Sequence, residues 1–163
     1  MTSQPETLVN QEMLDKKDQW SEPNVSPPVS VSDIRKWGIA VYWPDTPPRL
    51  FWDEEYAQST RYGGIIAPHD FNPFAWPVER EVPAARATAA GGGVGTRGMN
   101  GGQTDFYEKS MRPGDVVSTS SALVDWYERN GKLGLTLFSV TEIRWTNQND
   151  EIIKKRHSIS IRY

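Results

Sequence analysis

The sequence contains no cysteine. Disulfides, thiolate metal sites and cysteine nucleophiles are therefore excluded, and a reducing compartment is compatible with the chain. Histidine is scarce. With only His69 and His157, a zinc site of ordinary type would need carboxylates to complete it, and no metal is expected. Positive charge is not in excess either: 18 Lys and Arg against 21 Asp and Glu leave a net charge of -3. That balance gives no footprint for nucleic acid. No apolar run approaches transmembrane length. The polar stretch of residues 1–19 lacks the apolar core of a signal peptide. The expectation is a cytoplasmic protein with neither membrane nor nucleic acid as partner.

What is present is one domain's worth of chain, 163 residues, enough to bury about 70% of the unfolded surface. Residues 1–28 read as a flexible N-terminal arm, with Leu8, Val9, Met13 and Leu14 able to form a weak helix that docks on something. Residues 29–163 read as the domain proper. Ser30 with Asp33 three positions later fits a helix N-terminus, and Val31, Ile34, Trp37, Gly38 and Val41 form one stripe. A helix is expected over 32–42. Pro44, Pro47 and Pro48 make 43–52 a loop. Asp53 caps a short helix over 54–60, with Glu54 and Glu55 in its acid-favouring first turn.

The stretch from Tyr62 to Trp76 is the expected centre of the fold. Gly63 and Gly64 permit a turn, and Ile65, Ile66 and Ala67 give an apolar entry. Pro68 suits a first helical turn. Phe71, Phe74, Ala75 and Trp76 then make one thick aromatic face of a helix that a sheet wraps around. Unpaired amides at its N-terminal end favour an oxyanion, so Gly64, Ala67, Pro68, Phe71, Phe74 and Trp76 are candidate substrate-binding residues. The alternative is a plain core helix.

Seven glycines fall within residues 91–102. Gly93-Val94-Gly95-Thr96-Arg97-Gly98 matches G-x-G-x-x-G, but that fingerprint needs a strand before it and a helix after it. Neither is indicated, and the stretch reads as a loop. Sheet follows: a short strand over 103–109, a turn at Arg112-Pro113-Gly114-Asp115, and a long strand over 115–127. Asn130-Gly131 marks a hairpin. Two further strands span 132–145 and 151–163. Leu133, Leu135 and Leu137 share a face of the first. In the second, Ile153, His157, Ile159 and Ile161 alternate with Lys154, Arg156, Ser158 and Ser160. A helical half followed by an antiparallel meander is an α+β domain with helices on one face of the sheet.

Three local sequences carry a resemblance. They are Tyr62-Gly63-Gly64-Ile65-Ile66-Ala67-Pro68; Phe106-Tyr107-Glu108 leading to Arg112-Pro113-Gly114-Asp115; and Asp125-Trp126-Tyr127-Glu128-Arg129-Asn130-Gly131-Lys132 with Thr146-Asn147-Gln148 after it. In order and spacing they resemble the N-terminal-type domain of the MaoC-like dehydratases over 29–163. The resemblance implies a hotdog fold, a long antiparallel sheet around a central helix. It also implies hydration of 2-enoyl thioesters or dehydration of 3-hydroxyacyl thioesters, with coenzyme A or an acyl carrier as part of the substrate and no other cofactor.

Such chemistry needs a base to activate water and a donor to polarise the thioester carbonyl. The family is expected to use an Asp and a His in a motif resembling D-x-N-P-x-H. Here Asp45 matches the Asp, and the His position falls on Leu50 or Phe51, which move no proton. His69 is a candidate substitute base, or else a histidine packed at a helix start. Asp45 is a candidate base, or a loop-capping residue. His157 reads as a satisfied core histidine. The resemblance thus implies a non-catalytic subunit that shapes the acyl tunnel and pairs with a second hotdog subunit. The alternatives are a self-sufficient homo-oligomer using Asp45 or His69, and a hotdog that binds an acyl thioester or aromatic ligand without chemistry.

Overall fold

The computed structural model describes residues 7–75 and 95–163. Five strands make one antiparallel sheet. These are β1 (Asn24–Val25), β2 (Gly98–Tyr107), β3 (Ser118–Gly131), β4 (Gly134–Thr146) and β5 (Ile152–Arg162), in the order β1-β3-β4-β5-β2. The hairpin expected at Asn130-Gly131 is present, with Gly131 opposite Gly134. Leu133 falls in this turn and is exposed, while Leu135 and Leu137 are buried. β4 pairs with β5 along Leu137 to Thr146, and β2 pairs with β5 from Gly98 opposite Arg162 to Tyr107 opposite Lys154.

Three helices flank the sheet: α1 (Gln11–Lys16), α2 (Val31–Tyr42) and α3 (Glu54–Ser59). The capping residues act as the sequence suggests. Ser30 Oγ accepts the Asp33 amide at 3.0 Å, and Asp53 Oδ1 accepts the Tyr56 amide at 3.0 Å. Each bond satisfies one of the donors a helix start leaves open. Ile34 and Gly38 of α2 are buried. Gly38 matters because the chain passes close: a Cβ there would lie 3.4 Å from Pro47 Cβ. Ile34, Ala57, Ile65, Ala67, Phe71, Met111, Val117 and Ile153 form the main core, with Trp37, Phe51, Phe74 and Trp145 packed against it. The core therefore joins the helices to the end of the sheet where β4 stops and β5 begins.

Several expectations are corrected. The helix expected from Pro68 does not form over the described part of its range; Trp76 lies outside the described residues. The chain instead makes successive turns: the Phe71 amide donates to Pro68 O at 3.0 Å, the Phe74 amide to Asn72 Oδ1 at 3.0 Å, and the Ala75 amide to Asn72 O at 3.2 Å. Pro73 has no N–H to donate back to His69, and Asn72 offers its side chain as a competing acceptor. Residues 98–102, expected within a loop, form the first half of β2. In the described part of the N-terminal arm, by contrast, the helix expected to dock is present as α1. Leu8 is buried against Leu135 and Leu137, Arg162 donates to Leu8 O, and the Asp18 and Ser21 amides donate to Leu123 O and Ser121 O. His157 is satisfied but not core: its side chain is 40% exposed and its Nε2 lies 2.9 Å from Glu142.

Candidate functional site

Beyond α3 the chain turns sharply. Gly63 has φ 64° and Gly64 φ 154°, conformations that only glycine adopts without strain. The turn is held by the Gly64 amide on Ala57 O and by Arg112 Nη2 on Tyr62 O. It delivers Ile65, Ile66, Ala67 and Pro68 into the interior, all buried, and the Ala67 amide bonds to Met111 O at 2.8 Å. His69 and Asp70 then emerge exposed. No backbone partner takes the amides of these two residues among the described residues.

Two cavities meet here. The larger is an open cleft of about 470 Å³ lined by Tyr42, Leu50, Phe51, Tyr62, Ile66 and Asp70, among others. The smaller is a slot of about 20 Å³, lined by Phe71, Met111, Trp145, Ile153 and Lys154 and flanked by Lys109 and Ser110. Ala67, Pro68, His69 and Tyr107 line both. The His69 and Tyr107 rings are stacked at 4.3 Å between centroids and 15° between planes. That stack is the wall between cleft and slot.

Ionic groups behind the wall are tightly arranged. Arg156 holds Asp105 with two bonds, Nε to Oδ1 at 2.6 Å and Nη2 to Oδ2 at 2.7 Å. Those bonds keep the Asp105 carboxyl below the ordinary carboxylate range. Tyr107 donates its hydroxyl to Asp105 Oδ2 at 3.2 Å. Burial, then the Asp105 charge, raise the Tyr107 pKa. Lys154 Nζ lies 4.3 Å from the Trp145 ring centroid and 5.9 Å from that of Tyr107. Burial, then Arg156, lower the Lys154 pKa below the ordinary lysine range.

The structure sorts the candidates. Ala67, Pro68, His69 and Phe71 come together at the two cavities. Gly64 shapes the turn that leads there but lines neither cavity, and Phe74 packs on the core. Asp45 is exposed, lines neither cavity and has no side-chain partner among the described residues. Leu50 and Phe51, which fall where the family pattern has its His, both line the cleft. Sequence reasoning missed Lys154 and Trp145 as site residues. They face each other only through strand register: β4–β5 pairs Trp145 with Lys154, and β2–β5 pairs Tyr107 with Lys154 on the other side. Local sequence carries no sign of that register. Among the described residues no cluster of His, Asp and Glu is suited to hold a metal, and no helix is long and apolar enough to cross a membrane.

The family model for the FAS1-like dehydratase domain region matches residues 19–156. No curated protein matches the chain. Among solved structures, the ChsH1-ChsH2 complex from Mycobacterium tuberculosis is similar at a TM-score of 0.65 and 20% identity, covering 94% of this chain and 95% of that one. The C-terminally truncated HadBC complex, a 3R-hydroxyacyl-ACP dehydratase from the same organism, is similar at 0.54 and 18%, with 90% and 98% covered. A MaoC-like dehydratase from Rhodospirillum rubrum is similar at 0.55 and 14%, with 87% and 90% covered. At these identities the likenesses speak to the fold, and the fold is the expected hotdog. With the turn at Gly63-Gly64, the cleft beside it and the family match over most of its length, the chain belongs to the FAS1-like dehydratase domain family and is a MaoC-like hotdog domain.

Proposed function

We propose that this chain is the non-catalytic subunit of a heteromeric enoyl-thioester hydratase or 3-hydroxyacyl-thioester dehydratase. Its cleft holds the acyl group, and a second hotdog subunit supplies the Asp and the His. The observation that carries the reading is the lining of the cleft. Where the chemistry needs an imidazole, Leu50 and Phe51 present apolar surface. Asp45 does not line the cleft, and His69 is stacked on Tyr107 with no carboxylate bonded to it among the described residues. The imidazole–carboxylate pair of the described residues, His157 with Glu142, lies on the sheet face opposite Lys154 and Arg156.

The two borders of the sheet support a partner on one side. The β3 border is covered over 118–123 by β1 and the segment before it. Among the described residues the β2 border has no further strand along its ten residues, nine of them exposed. An open border is a row of unpaired N–H and C=O groups that a second sheet satisfies by adding a strand. The similar structures of ChsH1-ChsH2 and HadBC are complexes of two named components, which fits such a pairing.

The test follows loss of a 2-enoyl-coenzyme A on adding the purified chain, alone and with a hotdog subunit that carries the intact Asp and His motif. No turnover alone and turnover in the mixture is the expected result. Turnover by the chain alone, abolished in His69→Ala, would favour the self-sufficient reading, which draws its support from His69 lining both cavities. Binding without turnover in any mixture would leave a ligand-binding module.

A further inference from the structure

The exposed side of α2 carries a separate pocket. Ile34 and Gly38 turn inward, whereas Arg35 and Ile39, one turn apart, stay exposed. With Thr46, Pro47 and Trp52 they line a space of about 190 Å³. Its walls are fixed by the protein itself. The Trp52 Nε1 donates to Pro47 O at 2.9 Å, which ties the ring to the loop. Pro47 in turn lies against α2, where a Cβ on Gly38 would come within 3.4 Å of Pro47 Cβ.

The lining has a definite chemistry. Ile39, Pro47 and Trp52 are apolar, Thr46 brings one hydroxyl and Arg35 one cation, and among the described residues no acidic side chain lines the space. The neighbouring cations are engaged: Lys36 with Asp33 at 3.8 Å and Arg49 with Asp53 at 2.7 Å. Arg35 makes no hydrogen bond, ion pair or ring contact among the described residues. It is exposed and hydrated, so its charge is uncommitted rather than strained.

Pocket and acyl cleft adjoin across open surface. Ile39 lines the pocket and Tyr42 the cleft. Three residues apart, they share one face of α2, about 5 Å apart along its axis. Both are exposed, as is Trp43 beyond them, so a ligand passes from one space to the other over the surface, with no barrier between. The loop joins the two as well, since Pro47 lines the pocket and Leu50 and Phe51 the cleft.

A small apolar space with an aromatic wall and one guanidinium suits a flat ring that carries an anion. Bases stack on an indole whatever their identity, and a guanidinium matches a phosphate. Of the two carriers that the thioester reading allows, coenzyme A has such an end, an adenine with phosphates beside it. A carrier protein presents phosphopantetheine without a nucleotide.

We infer that the pocket of Arg35, Ile39, Thr46, Pro47 and Trp52 is the nucleotide subsite of the acyl cleft, with adenine against Trp52 and a phosphate on Arg35. The inference rests on the thioester reading above and narrows the carrier to coenzyme A.

The test compares 2-octenoyl-coenzyme A with 2-octenoyl-4′-phosphopantetheine, which lacks the nucleotide, by calorimetry on the full chain. The proteins are wild type, Arg35→Gln, Arg35→Lys and Ile39→Glu, all changed at exposed positions. Wild type is expected to favour the coenzyme A thioester about tenfold, the size of one charge-assisted contact. Arg35→Gln removes the charge and Ile39→Glu sets a carboxylate against the phosphate; each is expected to lose the preference while keeping its affinity for the phosphopantetheine thioester. Arg35→Lys is expected to keep most of it. Equal binding of the two thioesters by wild type, or a preference that survives in Arg35→Gln or Ile39→Glu, overturns the assignment and leaves the thioester reading standing. Binding of neither thioester overturns both. Thermal melts confirm that folded proteins are compared, and either of Arg35→Gln and Ile39→Glu carries the test if the other fails to fold.

Discussion

Replacing Asp105 by asparagine tests the ionic clamp that ties β2 to β5. The carboxylate accepts two short bonds from Arg156, and the two side chains are 17% and 27% exposed. Asparagine retains one acceptor oxygen, so one charge-assisted bond is lost, and such a bond nets about 1.5–3 kcal/mol. Residual solvent access places the cost near the lower half of that range, about 2 kcal/mol. A domain of this size loses roughly 2–4 °C of Tm per kcal/mol, so D105N is expected to melt about 4–8 °C lower. Arg156→Met and the double variant complete a cycle whose coupling is expected at about 1–2 kcal/mol. Circular-dichroism melts measure all four proteins. The sign with pH is fixed by the clamp. Arg156 holds the folded carboxyl below its ordinary range, so the stabilisation is fully present above the unfolded pKa of about 3.9 and is lost as pH falls through the lower folded value. The gap between wild type and D105N should therefore hold at neutral pH and close on acidification below the ordinary carboxylate range. Single variants that sum to the double within about 0.5 kcal/mol would refute the coupling. So would a gap that widens in acid.

Three further outcomes follow from the packing. Ile34 is fully buried, so Ile34→Ala should cost about 2–5 kcal/mol in urea denaturation; a loss below about 1 kcal/mol would mean the site collapses around the smaller residue. Ser30→Ala removes the cap of α2 and should cost about 1 kcal/mol by the same assay, with Ser30→Asp restoring most of it. At Gly101 a Cβ would sit 2.7 Å from Ile159 Cγ2 and 2.9 Å from Ile161 Cγ1. Gly101→Val should therefore cost about 1–3 kcal/mol and weaken association with a partner subunit in sedimentation, whereas unchanged association would argue against β2 as the joining strand.

The helices that the sequence foretold are those whose starts are written in neighbouring residues. Ser30 with Asp33, and Asp53 before Glu54 and Glu55, each supply their own capping bond within three positions. The hairpin at Asn130-Gly131 is local in the same sense. The segment after Pro68 failed because two local preferences conflict. Phe71 and Phe74 have helical spacing, but Asn72 and Pro73 between them favour turns, and the turns prevail. The first half of β2 was hidden for a different reason. Gly98, Gly101 and Gly102 have little strand preference of their own, and the strand exists because β5 supplies the ladder from about sixty residues away. The candidate site was legible in part. Pro68 and His69, both candidates from the sequence, line the two cavities, but Lys154 becomes a neighbour of Tyr107 only through strand register.

The unequal borders of the sheet have a consequence for how far assembly can run. Among the described residues, the segment around Asp18 and Ser21 occupies part of the β3 backbone on one flank, while on the other flank β2 has no further strand. If two such sheets join through their β2 flanks, residues 118–123 of each β3 face outward already paired. Over those residues the N-terminal stretch leaves no free ladder for a further strand, which disfavours growth of the pair into a filament.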